Sequence, residues 1–164
     1  MVKKVETVYT SGSWDMLHVG HLNIVRRSRA LGERLVVGVS TDELVEAYKG
    51  TKPIIPYEER VAIMRALANV DKVVKQSVLM DIRILKRNKI DLVTIGDDWK
   101  NKHLDGLEWM EEHGKVVYLP YTPGISTTSI KRKIIKNAYE LIYAELKREI
   151  TAGDRWTDTK RPKG

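Results

Sequence analysis

The 164-residue chain is 42% hydrophobic and 31% charged and has a formal net charge of +7. Its length suits one domain with a continuous core, and its composition is too apolar for a disordered protein. It contains no cysteine, which excludes a disulfide scaffold, an iron–sulfur cluster and a thiolate zinc site, and no apolar run that could span a membrane.

In the first half of the chain, short β-branched runs alternate with helical patterns. Glycine, proline and helix-capping residues mark the boundaries between them. The predicted order is a strand over 5–9, a helix over 21–31 that ends at Gly32, a strand over 34–40, a helix capped by Thr41, a loop over 49–56 and a helix over 57–67.

The second half continues the alternation. The pattern predicts a strand over 72–75, a helix over 80–88, a strand over 91–96, a helix over 107–113, a strand over 115–119 and a long helix from Ser126 or Thr127 to about Ile150. Repeated strand–helix–strand units predict an α/β fold with a parallel five-stranded sheet flanked by helices. Such sheets bind ligands beyond the carboxyl ends of their strands. Functional residues are therefore expected in the segments that follow strands: 11–21, 40–52, 96–103 and 121–128.

The first of these segments, SGSWDMLHVGH, carries two histidines on either side of a glycine. A helix start offers unpaired N–H groups and a partial positive charge, and glycine lets a ligand approach the backbone. His18 and His21 are thus candidates to donate hydrogen bonds to phosphate oxygens. Ordinary helix-entry residues and a zinc site are the alternatives, although no third zinc ligand with suitable spacing is evident.

The run GSWDMLHVGH resembles the signature G-[TS]-F-D-x-x-H-x-G-H of the cytidylyltransferase-like nucleotidyltransferases. A second mark of that superfamily is the segment Ile125-Ser126-Thr127-Thr128, which closes a loop and opens a helix. The resemblance covers about residues 3–135. It implies a single Rossmann-like nucleotidyltransferase domain over 1–136, followed by a helical extension and basic tail over 137–164.

The resemblance also implies the roles of individual residues. The two imidazoles would contact the triphosphate and stabilise the transition state, and Lys49, from a mobile loop, would neutralise phosphate charge as a third catalytic residue. Mg²⁺ is expected, held mainly by the triphosphate rather than by protein ligands. The implied nucleotide-binding residues are Ser11, Gly12, Ser13, Trp14, Asp15, Gly20, Gly96, Asp97, Asp98, Trp99, Ile125, Ser126, Thr127 and Thr128.

The segment Gly96-Asp97-Asp98-Trp99 resembles the corresponding segment of glycerol-3-phosphate cytidylyltransferases and of some phosphonate cytidylyltransferases. A carboxylate or carbonyl beside an aromatic face suits the amine and the ring of cytosine. The resemblance therefore favours CTP. An adenylyltransferase of the heptose-phosphate or FAD-synthesis type is the alternative within the superfamily.

The acceptor is less closely defined. Lys52, Arg60 and Tyr121 are the candidate acceptor-binding residues. Tyr121 and Ala68 stand where the glycerol-phosphate branch usually has arginines, so two cationic phosphate contacts are missing. Glycerol 3-phosphate is the leading prediction, and another phospho- or phosphonoalcohol is the alternative.

The C-terminal region is basic, with ten Lys or Arg against five acids after Ser129. A nucleic-acid-binding module is the alternative function from another class, but the run lacks the charge density and interleaved aromatic residues of a nucleic-acid arm, so nucleic acid is not the expected partner. The apolar stripe of the final helix is expected to pack on its own domain or, beyond about Asn137, on a second subunit, and a homodimer is predicted. Residues from Thr151 onward read as disordered. The beginning of the chain lacks the apolar stretch of a secretory signal, so a cytoplasmic location is expected.

Overall fold

The computed structural model describes residues 4–158, with residues 152–158 described by their backbone alone. The chain divides into two compact units, one that ends at Ile125 and one that begins at Ser126. The predicted domain boundary after residue 136 stays a prediction.

Five parallel strands form the sheet of the first unit: β1 (Val5–Gly12), β2 (Gly32–Ser40), β3 (Lys72–Gln76), β4 (Leu92–Gly96) and β5 (Val116–Leu119). Their spatial order is β3-β2-β1-β4-β5, which confirms the predicted parallel α/β fold. Because β2 and β4 lie on either side of β1, the strand order reverses at the carboxyl end of β1. This is where sheets of this kind bind ligands.

Five helices accompany the sheet in the first unit: α1 (Val19–Leu31), α2 (Asp42–Lys49), α3 (Tyr57–Arg65), α4 (Ile82–Arg87) and α5 (Asp105–Glu112). Apolar side chains of α1 and α3 join one buried cluster, which includes Val8, Leu35 and Val37. Those of α4 and α5 join a second cluster, which includes Tyr9 and Val36. Successive strand residues point to opposite faces, so the two clusters cover the two faces of the sheet.

Several boundaries differ from the prediction for local reasons. α1 begins at Val19 rather than at residue 21, because His18 is its N-cap. α4 begins at Ile82 rather than at residue 80, because the Asp81 carboxylate caps it and accepts from the Arg83 N–H at 2.8 Å. A 3-10 turn, Asp97–Trp99, follows β4 and was not predicted.

The second unit consists of the long helix α6 (Thr127–Asp158). Ser126 and Ser129 cap its start reciprocally: each hydroxyl accepts from the backbone N–H of the other, at 3.0 Å and 2.9 Å. The sequence left Ser126 and Thr127 open as the start of this helix, and the structure makes Ser126 the cap and Thr127 the first helical residue. The prediction of disorder from Thr151 onward is wrong up to Asp158, where α6 ends; residues 159–164 lie outside the described range. No helix within that range is both long and apolar enough to cross a membrane.

Candidate active site

Three of the predicted segments meet at the carboxyl end of β1. Residues 13–21 follow β1, α2 follows β2, and the 3-10 turn Asp97–Trp99 follows β4. Side-chain contacts join them: Lys49 of α2 reaches Ser13, and Tyr48 of α2 reaches Trp99. The sheet order thus brings together residues that the sequence places up to about 85 positions apart.

His18 is built into the start of α1. Its Nδ1 accepts a hydrogen bond from the Gly20 N–H at 3.1 Å, so the imidazole caps the helix. A Cβ on Gly20 would lie 2.9 Å from the His18 ring, and only glycine leaves room for this arrangement. Since Nδ1 is an acceptor, the neutral ring carries its proton on Nε2. Partial burial lowers the pKa of His18, so the neutral form dominates at pH 7.

His21 stacks directly on His18. The two ring centroids are 3.9 Å apart, and the Trp14 ring meets His21 edge-on at 5.5 Å. Burial, followed by the nearby charges of His18 and Lys49, lowers the pKa of His21 to about 4, whereas Asp15 acts in the opposite direction. Its Nδ1 is buried and has no hydrogen-bond partner among the described residues. Leaving such an atom unpaired costs about 1–3 kcal/mol, so His21 is poorly explained by stability alone.

Lys49 is the last residue of α2 and is followed by Gly50 in the left-handed conformation, at φ 75°. The lysine ammonium donates to the Ser13 hydroxyl at 3.1 Å. Its charge also contributes to the lowered pKa of His21. The prediction that Lys49 belongs to a mobile loop is wrong, because Lys49 is the last residue of α2 and Gly50 ends the helix.

Asp15 has a structural position that the sequence prediction did not anticipate. Its carboxylate is buried and accepts from the backbone N–H groups of Ile54 and Ile55, both at 3.0 Å. Asp15 thus anchors the loop that follows Lys49 to the loop that carries the histidines. Its predicted direct contact with nucleotide stays a prediction, but the geometry favours a role in positioning.

Trp14 is similarly turned inward. Its indole N–H donates to the Gly38 carbonyl at 2.9 Å, and its ring belongs to the buried cluster that includes Val8 and Val25. Gly12 lies against the ring, where a Cβ would come within 3.3 Å. Trp14 and Met16 both adopt positive φ, at 54° and 50°. Such strain in non-glycine residues is typical of functional loops that the surrounding structure holds in place.

Arg60 was predicted to bind the acceptor, and the structure gives it a different set of partners. The side chain is fully buried. Its guanidinium donates to the carbonyls of Ser13, Ser40 and Ile55 and forms an ion pair with Asp42. Ser13 is the residue after β1, Ser40 is the last residue of β2, and Ile55 lies in the loop before α3. Arg60 therefore ties the three segments together beneath the site, and sequence reasoning missed this role because it identifies the residue but not the direction of its side chain.

Tyr48 is a site residue that sequence reasoning missed. Its ring is half-buried and meets Trp99 edge-on, with centroids 6.1 Å apart. Burial raises the pKa of Tyr48, while hydrogen bonding with Ser13 and Ser40 acts in the opposite direction. The sequence did carry a signal for Tyr48, because this residue immediately precedes Lys49 in the segment 40–52, where functional residues were expected.

Residues that were predicted to contact the nucleotide base or the acceptor lie on the surface. Asp97 and Asp98 are exposed, and Tyr121 is 60% exposed. Partial burial, followed by the charges of Asp98 and Asp97, raises the pKa of Tyr121. Lys52, the other acceptor candidate, pairs with Glu46 at 3.8 Å.

The loop after β5 is fastened to α1. Asn23 donates to the Thr122 hydroxyl at 3.1 Å, and Arg27 donates to the Pro120 carbonyl at 2.9 Å. This brings Ile125 next to Gly20: a Cβ on the glycine would lie 3.4 Å from the isoleucine Cγ2. The first residue of the second motif therefore lies beside the first motif. The phosphate contacts of Ser126, Thr127 and Thr128 stay a prediction.

The described residues do not group into a metal-binding cluster of three or more His, Asp or Glu side chains. The Asp15 carboxylate, whose charge acts on His21, accepts from two backbone N–H groups. This donor set suits a metal ion that arrives on the phosphates of a nucleotide better than one that the protein holds by itself.

Comparison with known proteins gives relatives over most of the chain. Residues 9–133 match the cytidylyltransferase-like family. The glycerol-3-phosphate cytidylyltransferase of Bacillus spizizenii is 37% identical over 129 residues, which are 78% of this chain and 96% of that protein. The enzyme of the same name from Bacillus subtilis is 38% identical over 132 residues, which are 79% of this chain and 98% of that protein.

Two further similarities extend the comparison. The bifunctional protein HldE of a Shewanella species is 38% identical over 132 residues, which are 79% of this chain but 28% of that protein. Among solved structures, the lipopolysaccharide core biosynthesis protein from Thermoplasma volcanium has a TM-score of 0.56 and 26% identity, covering 70% of this chain and 93% of that one. The matched region holds the histidine pair, Lys49, the carboxyl end of β1 and all of β2 to β5. The chain therefore belongs to the cytidylyltransferase-like family and is a nucleotidyltransferase.

Proposed function

We propose that the protein transfers CMP from CTP to a small phosphorylated alcohol, with glycerol 3-phosphate as the leading acceptor, and releases pyrophosphate to give a CDP-alcohol. The observation that carries the proposal is the stacked, neutral pair of His18 and His21 at the start of α1, with the Lys49 ammonium alongside. This arrangement offers hydrogen-bond donors and positive charge to a triphosphate. The protein's membership of the family and its similarity to two glycerol-3-phosphate cytidylyltransferases support the choice of nucleotide and acceptor.

The proposed reaction is an in-line displacement. A phosphate oxygen of the acceptor attacks the α-phosphorus of CTP and forms the new P–O bond. The bond between the α-phosphorus and the bridging oxygen breaks, and pyrophosphate leaves with the electron pair. The attacking oxygen is already anionic, so no general base is needed, and catalysis consists of positioning and of stabilising developing negative charge.

The protein's side chains divide this work. The His18 Nε2–H is directed by the cap that the same ring forms, and it would donate to a phosphate oxygen without changing charge. Lys49 would follow the charge that builds on the leaving pyrophosphate, as a flexible point charge near Ser13. Mg²⁺ bound to the triphosphate would neutralise phosphate charge. We propose that Ser126, Thr127 and Thr128 add hydroxyl and N–H donors at the start of α6, on the ground of the sequence motif.

The exposed residues of the site are the proposed contacts for the cytosine base and for the acceptor. Asp97 or Asp98, next to Trp99, supplies an acceptor for the amine of cytosine beside an aromatic surface. Tyr121, whose pKa is raised partly by the charges of both carboxylates, would contact the acceptor in place of the arginine of the glycerol-phosphate branch. Adenylyl transfer is the second candidate, and the similarity to HldE proteins favours it.

A panel of nucleoside triphosphates against acceptors tests the proposal. Pyrophosphate release is measured with CTP, ATP, GTP and UTP, each paired with glycerol 3-phosphate, other phosphoalcohols, phosphonoalcohols and a sugar phosphate. CTP with glycerol 3-phosphate is expected to give the highest kcat/KM, and mass spectrometry of the product should show a CDP-alcohol. Turnover with ATP and none with CTP would overturn the choice of base. Turnover with CTP and another acceptor would overturn only the choice of acceptor.

A substitution at Tyr121 tests whether the acceptor binds at this residue. Tyr121→Arg restores a cation where the glycerol-phosphate branch has one, and a charge-assisted contact contributes about 1.5–3 kcal/mol. The KM for glycerol 3-phosphate is expected to fall about tenfold or more, with Tyr121→Phe as the control that adds no charge. An unchanged KM in Tyr121→Arg would contradict the placement of the acceptor at this residue.

A location in the cytoplasm and independence from nucleic acid are part of the same proposal. Nucleic-acid binding rests on the net charge of +7 alone. A gel shift at about 0.1 M salt that disappears at higher salt would support the nucleic-acid alternative.

A further inference from the structure

Three buried polar side chains form a chain of hydrogen bonds that links β1, β3 and β2. The Tyr9 hydroxyl donates to the side-chain oxygen of Gln76 at 2.8 Å, and the Gln76 amide nitrogen donates to the Ser40 hydroxyl at 3.0 Å. Each of the three residues is at most 1% exposed. Glutamine is rarely buried to this extent, and its amide must find partners when it is. The two hydroxyls explain how the fold tolerates Gln76, but they leave its purpose open.

The sheet is shaped around the first of these hydrogen bonds. A Cβ on Gly38 would lie 2.1 Å from the Tyr9 hydroxyl oxygen, so a larger residue at this position would displace the phenol. Burial raises the pKa of Tyr9, which keeps on the hydroxyl the proton that it donates to Gln76. Both the space and the protonation state therefore suit a bond between Tyr9 and Gln76.

Gln76 holds the start of α2 at two consecutive residues. Its side chain donates to the hydroxyl of Ser40, the last residue of β2, and its carbonyl accepts from the Thr41 N–H at 3.0 Å. Thr41 is the N-cap of α2, where its hydroxyl accepts from the Leu44 N–H at 3.2 Å. The point at which the strand turns into the helix is thus fixed by one glutamine.

The direction of α2 determines where Lys49 lies. The helix has eight residues, from Asp42 to Lys49, and the Lys49 ammonium donates to the Ser13 hydroxyl at 3.1 Å. At a rise of about 1.5 Å per residue, Lys49 is about 12 Å from Thr41, so a rotation of about 5° at Thr41 would move it by about 1 Å. Misplacing a catalytic group by about 1 Å costs up to about 100-fold in rate, of which the flexible lysine side chain would recover a part.

We propose that Gln76 is a positioning residue, which fixes the direction of α2 together with Tyr9 and Ser40 and so holds Lys49 next to Ser13. The inference rests on the proposed function, in which Lys49 stabilises charge on the leaving pyrophosphate. Because this charge develops only in the transition state, loss of the positioning lowers kcat and leaves the KM for the nucleotide nearly unchanged.

A double-mutant cycle tests whether Gln76 acts through Lys49. The assay is pyrophosphate release with the most active pair from the panel of nucleotides and acceptors. Lys49→Met is expected to lower kcat about 100-fold. Gln76→Met keeps the length of the side chain without its polar atoms, and it should lower kcat about tenfold with a KM for the nucleotide within about twofold of the wild type. In the Lys49→Met background, Gln76→Met should lower kcat by less than about twofold, because the group that it positions is gone.

The outcomes of the cycle separate this inference from the proposed function. Equal losses from Gln76→Met in both backgrounds would overturn the positioning role, since a smaller folded fraction produces that result. A wild-type kcat in Gln76→Met would overturn it as well. An unchanged kcat in Lys49→Met would instead reject the catalytic role of Lys49 in the proposed function, and this inference with it.

A second variant separates positioning from stability. Gln76→Met deprives two buried hydroxyls of their partner, whereas Tyr9→Phe/Gln76→Met replaces both ends of the first hydrogen bond by apolar groups, which is nearly neutral for stability. The Tm of this double variant is expected to recover toward that of the wild type, while its kcat stays about tenfold low.

Thr94→Val is the matched control, because it removes a buried hydroxyl that is bonded to Ser28 of α1, at 2.7 Å, rather than to α2. It should lower the Tm and change kcat by less than about twofold. If kcat recovers together with the Tm in Tyr9→Phe/Gln76→Met, Gln76 serves stability alone and the proposal is wrong. If Gln76→Met does not fold, the cycle with Lys49→Met is measured on the double variant, with the same expected results.

Discussion

The two sides of the candidate site are built differently. On the side that we propose binds phosphate (the phosphate side), the loop with His18 and His21 is held from within by hydrogen bonds that involve Asp15, Trp14 and the buried Arg60. On the opposite side, Asp97, Asp98 and Tyr121 are exposed. A substitution on the first side disturbs the buried framework, whereas one on the second side changes an exposed surface, which is the surface that a substrate meets in the proposed function. The comparison suggests how one family can keep its chemistry and vary its substrates.

The largest expected effect comes from removing the first imidazole on the phosphate side. His18→Ala is expected to lower kcat for pyrophosphate release by about 10³-fold or more, because a donor aimed at developing charge is lost. It should also lower the free energy of unfolding by about 1 kcal/mol, because α1 loses its cap.

His18→Asn separates these two consequences. Asparagine is a good N-cap but has no imidazole, so its thermal stability should be close to that of the wild type while its kcat is as low as that of His18→Ala. Turnover at the wild-type level in either variant would remove His18 from the mechanism.

The framework beneath the phosphate side is tested at Arg60. Arg60→Lys keeps the charge but loses the forked geometry that serves three carbonyls and Asp42. Chemical denaturation is expected to show a loss of about 2–4 kcal/mol. Arg65→Lys, at an exposed position of the same helix, should change stability by less than about 0.5 kcal/mol. A stable Arg60→Lys with a raised KM for the acceptor would favour the acceptor role predicted from the sequence.

The pH dependence of stability tests the buried imidazole. The pKa of His21 is about 4 in the folded protein and about 6.5 when unfolded. Between these values the unfolded chain binds a proton that the folded chain does not, so the contribution to stability is fully present above pH 6.5 and is lost as the pH falls toward 4. The loss from this residue is expected to reach at most about 3 kcal/mol, at 1.36 kcal/mol per pKa unit.

Urea unfolding at a series of pH values measures this effect. His21→Gln cannot titrate, so its stability should fall less steeply with decreasing pH than that of the wild type. Parallel pH profiles for the two proteins would show that His21 is not protected from protonation in the folded state.

The smallest effect is expected where the two sides meet. Tyr48→Ala removes the ring between the Lys49 helix and Trp99, and kcat/KM is expected to fall about tenfold, equivalent to about 1.4 kcal/mol. Tyr48→Phe keeps the ring and should stay within about twofold of the wild type. If Tyr48→Ala is as active as the wild type, the two sides act independently and the contact has no catalytic consequence.

Much of the fold could be predicted because the signals are local. Buried β-branched runs mark the strands, and Gly32, Thr41 and Pro56 mark boundaries that the structure confirms. The spatial order of the strands and the 3-10 turn after β4 were not predicted. They depend on pairing between distant residues, for which one sequence carries no direct signal.

The site was predicted less evenly. The histidine pair and Lys49 are recognisable from residue type and spacing, and the structure brings them together. Trp14, Asp15 and Arg60 were assigned to ligands, yet their polar atoms bond to the protein itself. A motif gives the type of each residue, but it does not show whether that residue contacts the substrate or positions other residues that do. The sequence therefore could not distinguish the two roles.

Because the Gly20 N–H donates to the His18 ring, the His18 side chain loses its conformational entropy when the chain folds rather than when a ligand binds. A free imidazole would have to give up its rotational freedom whenever a nucleotide arrived, and this loss would weaken every encounter. Here the ring is immobilised once, when the chain folds and α1 forms. In the proposed function, each turnover therefore begins with the His18 side chain already oriented, so less of the nucleotide's affinity is consumed in ordering the enzyme.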